Sequence, residues 1–263
     1  FKTFKQKKTI YLIVSITPYT FFSYIFLFFF RKKVYLYLRS NGYEEYKAIY
    51  GFIGSVLYHI AFKLVTYKSR IITCQKRLIK KESYLVFPSE LDDSWIKNIS
   101  KPNLEKPKLL YVGRLKVEKG IFSLFKIIEK INQNFELSIV GKKEKNLKLN
   151  SKNLNFLGFG FTSEELKKIY DNHNISILPS FTEAHPKVLD ESLARSRPVI
   201  VFDEISHVVQ NRKGVFISKR DSKSLSETIK YIMENYSKIQ TSISTNNLPL
   251  KKKFISQISN ILN

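Results

Sequence analysis

From residue 108 onward, short apolar runs alternate with longer stretches whose apolar positions recur every three or four residues. The runs cover 108–112, 135–140, 154–157, 175–179, 198–202 and 215–218. Runs of four to six apolar residues bounded by polar turns predict strands buried on both faces of a parallel sheet. Between them the helix period places helices at about 120–131, 163–171, 186–196 and 222–236. The first of these carries Ile121, Leu124, Phe125, Ile128 and Ile131 on one side, and the last Leu225, Ile229, Ile232, Met233 and Tyr236. Thr162-Ser163-Glu164-Glu165 has the form of a capping box, a hydroxyl at the cap answered by a carboxylate three residues on. Strands alternating with helices in this way predict a doubly wound α/β domain.

The first hundred residues follow the same grammar less regularly. Residues 10–30 hold no charge over a length sufficient to span a bilayer. Pro18, with Ser15, Thr17 and Thr20 around it, divides this stretch, so strand, turn and aromatic helix is the expected reading rather than a transmembrane helix. The basic flanks Lys7-Lys8 and Arg31-Lys32-Lys33 suit either. A strand is predicted at 34–38, closed by a turn at Asn41-Gly42. A long helix follows over 44–69, with apolar positions Ile49, Phe52, Ile53, Val56, Leu57, Ile60 and Leu64 in three- and four-residue steps. That stripe faces either core or membrane, and core is the default. Ile71-Ile72 and 84–87 complete the half-domain. Asp92-Asp93 reads as a solvated turn or cap in preference to a metal site. Residues 98–107, with two Pro, two Asn and a Ser, have the composition of a linker; 241–250 are polar and loop-like, and 251–263 form a final helix. The expected division is therefore 1–97, linker 98–107, 108–240 and tail 241–263.

Composition adds a strong charge. The 263 residues carry 45 Lys+Arg against 22 Asp+Glu, a net +23, and the first 106 residues alone hold 19 basic and 7 acidic side chains. Such an excess suits an anionic membrane surface, nucleic acid or phosphorylated substrates, and equally a coding bias toward Lys, Asn, Ile and Phe. No RNP-like, zinc-finger or helix-turn-helix pattern is present, so nucleic acid is excluded as the partner and the membrane surface is preferred. Cys74 is the only cysteine, which removes disulfide frameworks and cysteine zinc sites and fits a reducing cytoplasm. The chain starts at Phe1 and its only Met is Met233, so it is expected to be part of a longer protein.

Candidate chemistry collects after two of the predicted strands. Gly113-Arg114-Leu115 follows the first strand of the second domain, and Lys119-Gly120 stands before the next helix. Glycine lets backbone approach a phosphate, Arg114 offers a planar fork for its oxygens and Lys119 a mobile point charge. Glu183 lies in the loop after the strand at 175–179, and Glu191, with seven residues between, on the helix that opens at Pro186. In open α/β sheets ligands bind beyond the carboxyl ends of the strands. A lone Gly-Arg-Leu, a loop carboxylate or a helix carboxylate is an ordinary surface feature; the combination in this order is more specific.

Together these segments resemble the retaining GT-B glycosyltransferases of family 4, over roughly 107–236 with a fainter likeness before it. The resemblance implies a GT-B-like α/β fold: a complete C-terminal Rossmann-like domain preceded by a partial N-terminal one, with the final helix returning to pack on the first domain. It implies a donor site of Gly113, Arg114, Lys119, His185, Pro186, Lys187, Val188 and Glu191. Arg114 and Lys119 neutralise the leaving diphosphate, Glu183 lies by the transferred sugar, and Glu191 accepts two ribose hydroxyls. The catalytic set is then Glu183, Arg114 and Lys119, with no metal and no cofactor beyond the nucleotide-diphosphate sugar. Ala184 and Pro186 stand where many relatives have Gly. Arg39-Ser40-Asn41 occupies the place where an acceptor-side His is frequent, and His59 lies too far along its helix to replace it.

The implied function is transfer of a sugar, with retention, to a glycan or lipid-linked acceptor in cell-surface polysaccharide or glycolipid synthesis, peripherally at the inner face of the cell membrane. The alternatives are a non-catalytic, membrane-associated nucleotide-sugar-binding module and a GT-B-fold epimerase. Sugar and base choice are assigned to loops at 141–150 and 158–162, whose geometry spacing does not fix.

Overall fold

The computed structural model describes residues 9–39, 42–75, 78–79, 82–132, 134–142 and 153–263. Lys7-Lys8, Ser40, Asn41 and residues 143–150 of the first specificity loop lie outside the described residues. The chain forms two compact units, Phe1–Pro88 with Lys252–Asn263, and Ser89–Lys251.

In the first unit, β1 (Tyr11–Val14), α1 (Pro18–Phe29), β2 (Val34–Leu38), α2 (Gly42–Thr66), β3 (Arg70–Thr73) and β4 (Ser83–Leu85) follow in sequence. The strands form one parallel sheet in the order β1-β2-β3-β4. The uncharged stretch 10–30 is strand, turn and helix as expected. Thr17 caps α1 in a capping box with Thr20, and Pro18 fills the first turn, where its missing N–H costs nothing. Among the described residues no helix is long and apolar enough to cross a membrane. Alternation along the strands sends Ile13, Leu36 and Ile71 to one face, under Leu27, Tyr58 and Phe62 of α1 and α2. Tyr35, Ile72 and Val86 face the other way, against Phe254, Ile258 and Leu262 of a closing helix, Lys251–Leu262. That helix therefore returns to the first unit.

The default assignment of α2 to core is reversed. Phe52, Ile53, Val56, Leu57, Ile60 and Leu64 are all exposed, while Tyr58, Phe62 and Val65 are buried; the side chain of Ile49 is not among those described. The helix is apolar on both sides, and a kink at Gly51 (φ 65°) resets its face.

The second unit contains β5 (Lys108–Val112), α3 (Ile121–Ile128), β6 (Glu136–Val140), β7 (Leu154–Gly158), α4 (Ser163–Asp171), β8 (Ile175–Leu178), α5 (Lys187–Ala194), β9 (Val199–Phe202), β10 (Val215–Ser218), α6 (Ser222–Glu234) and α7 (Tyr236–Ile243); the closing helix is α8. Its six strands are parallel, in the order β10-β9-β8-β5-β6-β7. All four residues of β8 and of β9 are buried, as the apolar runs predict. The capping box at Thr162 and Glu165 is formed. Chain order runs from β5 outward to β7, then restarts on the other side of β5 at β8, so the sheet switches direction between β5 and β8.

The unit boundary falls at Pro88/Ser89 rather than within 98–107. The expected linker is irregular but strapped down by two buried arginines. Arg195 donates to the carbonyls of Trp95, Lys97 and Asn98 at 2.8–2.9 Å, and Arg197 to those of Ser100, Asp171 and His173. Asn174 Nδ2 donates to the carbonyls of Asn103 and Lys106. Buried guanidinium groups need acceptors, and carbonyls outside regular structure are free to serve. The expected 241–263 tail likewise divides: α7 packs Tyr236, Ile239 and Ile243 into the second core, and α8 joins the first unit.

Candidate functional site

Ligands of open α/β sheets bind at a switch such as that between β5 and β8, beyond the carboxyl ends of the strands, and Gly113, Arg114, Lys119 and Glu183 stand on the segments that follow β5 and β8. Gly113 follows β5, its N–H donating to the carbonyl of Val140 at 2.9 Å. The next strand ends in Gly141, where a Cβ would lie 2.2 Å from the carbonyl oxygen of Gly113, so the two strand ends touch through backbone. Tyr111 supports the turn from below, its hydroxyl donating to the carbonyl of Arg114 at 2.7 Å. Burial pushes that phenol well above its ordinary value, which keeps it a neutral donor. Arg114 itself stands exposed.

Gly120 has φ +66° and approaches the end of β8 so closely that a Cβ would lie 1.7 Å from the carbonyl oxygen of Pro179. Only glycine meets both demands. This approach carries Lys119 to the loop after β8, where its Nζ lies 2.6 Å from Glu183 Oε1. Ser180 Oγ donates to the same oxygen at 2.8 Å, and His207 Nε2 lies 2.7 Å from the carbonyl of Glu183. The loop is also tied through Phe181, whose N–H donates to the carbonyl of Glu118 and whose ring lies 4.1 Å from the Arg220 guanidinium. Glu204 holds that guanidinium through two hydrogen bonds.

Pro186 caps α5, and the predicted donor residues beyond it take different stations. Glu191 accepts a hydrogen bond from Tyr170 Oη at 3.0 Å. Burial raises its carboxyl above the ordinary range, against the opposing effects of that hydrogen bond and of Lys187. Lys187 pairs with Glu90 at 2.9 Å, and Val188 packs half-buried between two apolar clusters. His185, expected in the donor site, is turned inward. Its Nε2 lies 2.9 Å from Asp190 Oδ2, the two side chains being 2% and 3% exposed. Arg212 Nε donates to the other oxygen of Asp190 at 2.9 Å, and its Nη2 lies 3.4 Å from His185 Nδ1.

The structure thus brings Lys119 and Glu183 into contact, stations Gly113 and Arg114 at the neighbouring strand end, and gives Glu191 a separate partner. Sequence reading missed Ser180, His207, Tyr170, Asp190 and Arg212. Ser180 sits three residues before Glu183 and was within reach of inspection, whereas Arg212 is 22 residues from Asp190 and carries no local signal. Asp92 accepts from the Ser94 N–H at 2.8 Å, the turn cap that was preferred over a metal site. Among the described residues no cluster of three or more His, Cys, Asp or Glu is placed to hold a metal ion.

Curated relatives that match part of the chain include two from cell-surface polymer synthesis. The capsular polysaccharide biosynthesis glycosyltransferase CapM of Staphylococcus aureus is 29% identical over 160 residues, 56% of this chain and 42% of its own. The putative teichuronic acid biosynthesis glycosyltransferase TuaC of Bacillus subtilis is 29% identical over 128 residues, 48% of this chain and 33% of its own. The chain spans less than half the length of either. Among solved structures, sucrose-phosphate synthase of Thermosynechococcus elongatus superposes with a TM-score of 0.73 at 18% identity, covering 95% of this chain and 72% of that one. HepE of Anabaena in complex with UDP and glucose gives 0.71 at 14%, covering 95% and 77%. These likenesses establish the expected GT-B α/β fold, two parallel sheets in two units. Residues 92–248, more than half of the sequence and nearly all of the second unit, match the profile of glycosyl transferases group 1, and the chain belongs to that family.

Proposed function

We propose that the protein of which this chain is part transfers a sugar from a nucleotide-diphosphate sugar to an acceptor hydroxyl with retention of configuration and without a metal ion or further cofactor. The observation that carries this reading is the Lys119–Glu183 contact at the β5/β8 switch, with Gly113 and Arg114 beside it. Arg114 and Lys119 take the donor's diphosphate, Glu183 the sugar and Glu191 the ribose hydroxyls, with Pro186, Lys187 and Val188 shaping the start of α5 beneath. His185 serves through Asp190 by holding the loop.

In the step itself the bond from the anomeric carbon to the diphosphate oxygen breaks, the electron pair leaving with the diphosphate. The acceptor oxygen bonds to the same carbon from the same face, and its proton passes to the departing phosphate. The cationic pair stabilises the charge that builds on that leaving group, an electrostatic contribution to lowering the barrier. The names of CapM and TuaC favour a glycan or lipid-linked acceptor in cell-surface polymer synthesis, worked on peripherally at the inner face of the cell membrane. HepE, solved with UDP-glucose, supports a nucleotide-sugar donor.

Calorimetry with a panel of nucleoside diphosphates and their sugars tests the donor site in this chain. Selective binding weakened by Arg114→Ala and by Glu191→Gln is the expected result; indifference to both substitutions rejects it. Turnover by the full-length parent, followed by product analysis, separates a transferase from a non-catalytic binding module and from an epimerase.

A further inference from the structure

We infer that Arg220 is a positioning residue of the site. It bonds to neither Lys119 nor Glu183 among the described residues, but it packs on the two segments that carry them and holds the Glu183 loop in place. This role rests on the transferase reading, which gives Glu183 to the sugar and Lys119 to the diphosphate.

Arg220 stands in the turn between β10 and α6, and that turn is fastened on both sides of it. Asp221 caps α6, its carboxylate accepting from the Ser224 N–H at 2.8 Å, and Ser224 Oγ accepts from the Lys219 N–H at 3.0 Å. An Asp at this position satisfies a helix N–H that has no partner within the helix. The backbone on either side of Arg220 is therefore set. At its far end the side chain is set by Glu204, which follows the last residue of β9 and takes Nε at 2.6 Å and Nη2 at 3.0 Å. That two-pronged pair holds the Glu204 carboxyl below its ordinary range, so it stays ionised. A lysine could neither grip Glu204 in two places nor lay a flat cation on a ring.

So anchored, the guanidinium meets both halves of the site. Its carbon lies 4.1 Å from the centre of the Phe181 ring and 4.5 Å from that of Phe202, distances at which a cation is attracted to the ring. Nη2 lies 3.4 Å from the Ser180 carbonyl oxygen. Toward α3, the buried Nη1 lies 3.2 Å from where a Cβ of Gly120 would stand. Ser180 and Phe181 lead into Glu183, and Gly120 follows Lys119, so one side chain from a third strand end touches both segments. The two depend on it unequally. The Lys119 turn closes on its own backbone, the Gly120 N–H donating to the Val117 carbonyl at 2.9 Å, and Gly120 is pressed on Pro179. The loop after β8 is tied elsewhere by the Phe181 N–H on Glu118 and by His207 on the Glu183 carbonyl. Loss of Arg220 therefore falls on the Glu183 side, and the carboxylate leaves the place where a sugar would meet it. Diphosphate binding, which belongs to Arg114 and Lys119 in the same reading, is largely spared.

Two measurements on the 263-residue chain test the assignment. Exchange mass spectrometry without ligand reads the loop: Arg220→Ala should speed amide exchange in residues 180–185 by about 10-fold and leave β5 and β6 unchanged, as a local opening does. Titration calorimetry with UDP, UDP-glucose, GDP and GDP-mannose reads the ratio of sugar-conjugate to diphosphate affinity for whichever pair binds. Arg220→Ala and Arg220→Lys should each lower that ratio by about 10-fold while diphosphate affinity moves by no more than about 2-fold, a coupling of the size found between groups in contact. Phe181→Leu removes the ring from a partly exposed site, where folding is not at stake, and should lower the ratio in the same direction. In a Glu183→Gln background Arg220→Ala should change the ratio no further, because two changes that act through one group do not add. Unchanged exchange in 180–185, a ratio untouched by Arg220→Ala, or a lysine that serves as well as the arginine would overturn the proposal. So would equal losses for diphosphate and conjugate, or losses that add in the double variant, either of which marks a general structural role. Raised exchange in 180–185 in a chain whose parent binds none of the four probes supports the loop assignment and counts against the transferase reading alone.

Discussion

Lys119 Nζ and Glu183 Oε1, 64 residues apart in sequence, stand 2.6 Å from each other at the β5/β8 switch. Each neutralises the other, with side chains only 22% and 15% exposed. In the proposed donor site a diphosphate would compete with Glu183 for Lys119 and so free the carboxylate for the sugar.

Lys119→Ala is therefore expected to weaken nucleoside diphosphate binding by about 10- to 100-fold, the worth of a charge-assisted hydrogen bond of roughly 1.5–3 kcal/mol. Its cost to folding should be smaller, about 1 kcal/mol, since the pair keeps some contact with solvent. Glu183→Gln should leave nucleoside diphosphate binding nearly unchanged or tighter while lowering the affinity difference between the diphosphate and its sugar conjugate. Titration calorimetry of both variants checks this; equal losses for both ligands in Glu183→Gln would remove Glu183 from the sugar site.

Gly120 sets the position of Lys119. At φ +66°, with Pro179's carbonyl oxygen 1.7 Å from where a Cβ would stand, Gly120→Ala has to push α3 away from the end of β8. A loss of about 3 kcal/mol in unfolding free energy of the second unit is expected, combining left-handed strain with overpacking. Denaturant unfolding followed by the lone Trp95, which packs on Tyr170 in this unit, measures it. A loss below 1 kcal/mol would mean that the contact is easily relieved.

Asp190 holds both His185 and Arg212 and is buried. Removing one member of a buried ionic cluster leaves the others without compensation, so Asp190→Ala should cost about 3–5 kcal/mol. Asp190→Asn keeps the volume and one acceptor. It is expected to cost less and to appear chiefly as faster amide exchange in residues 181–185, with a weaker donor affinity. Exchange mass spectrometry distinguishes this from a general loss of stability, which would raise exchange across α5 and β9 as well.

The inner strands β8 and β9 of the second unit were legible because they are buried on both faces: an apolar run such as Val199–Phe202 has no other stable placement. The face of α2 was not. Its stripe at Ile53, Leu57, Ile60 and Leu64 and its stripe at Tyr58, Phe62 and Val65 have the same period, and periodicity alone does not say which one meets the sheet. The segment 98–107 has a linker's composition, yet Arg195 and Arg197 hold its start from nearly 100 residues away. At the site, Lys119, Glu183 and Glu191 were readable as a motif. The supports Tyr170, Asp190 and Arg212 were not, since each acts through a contact made only when the chain is folded.

Glu191 combines a stability effect and a binding effect that run in opposite directions with pH. Burial raises its carboxyl above the ordinary value. A carboxyl whose folded value exceeds its unfolded one holds its proton more tightly when folded. Its contribution to stability is therefore full at pH below the unfolded value and is lost as pH rises through the raised one. Accepting two hydroxyls requires the carboxylate, so donor affinity should climb over that same interval and then level off. Glu191→Gln removes the ionisation and should flatten both profiles. At neutral pH its unfolding midpoint should equal or exceed that of the parent, because the desolvated charge is gone and Tyr170 keeps an acceptor. Its nucleotide affinity should fall by about 10- to 100-fold, or roughly 1–3 kcal/mol for a hydrogen-bonding group left poorly matched. Calorimetric and thermal titrations that start below the ordinary glutamate value of about 4.3 and run past neutrality resolve the two trends; pH profiles of binding that stay parallel in parent and variant would place the ribose contact elsewhere.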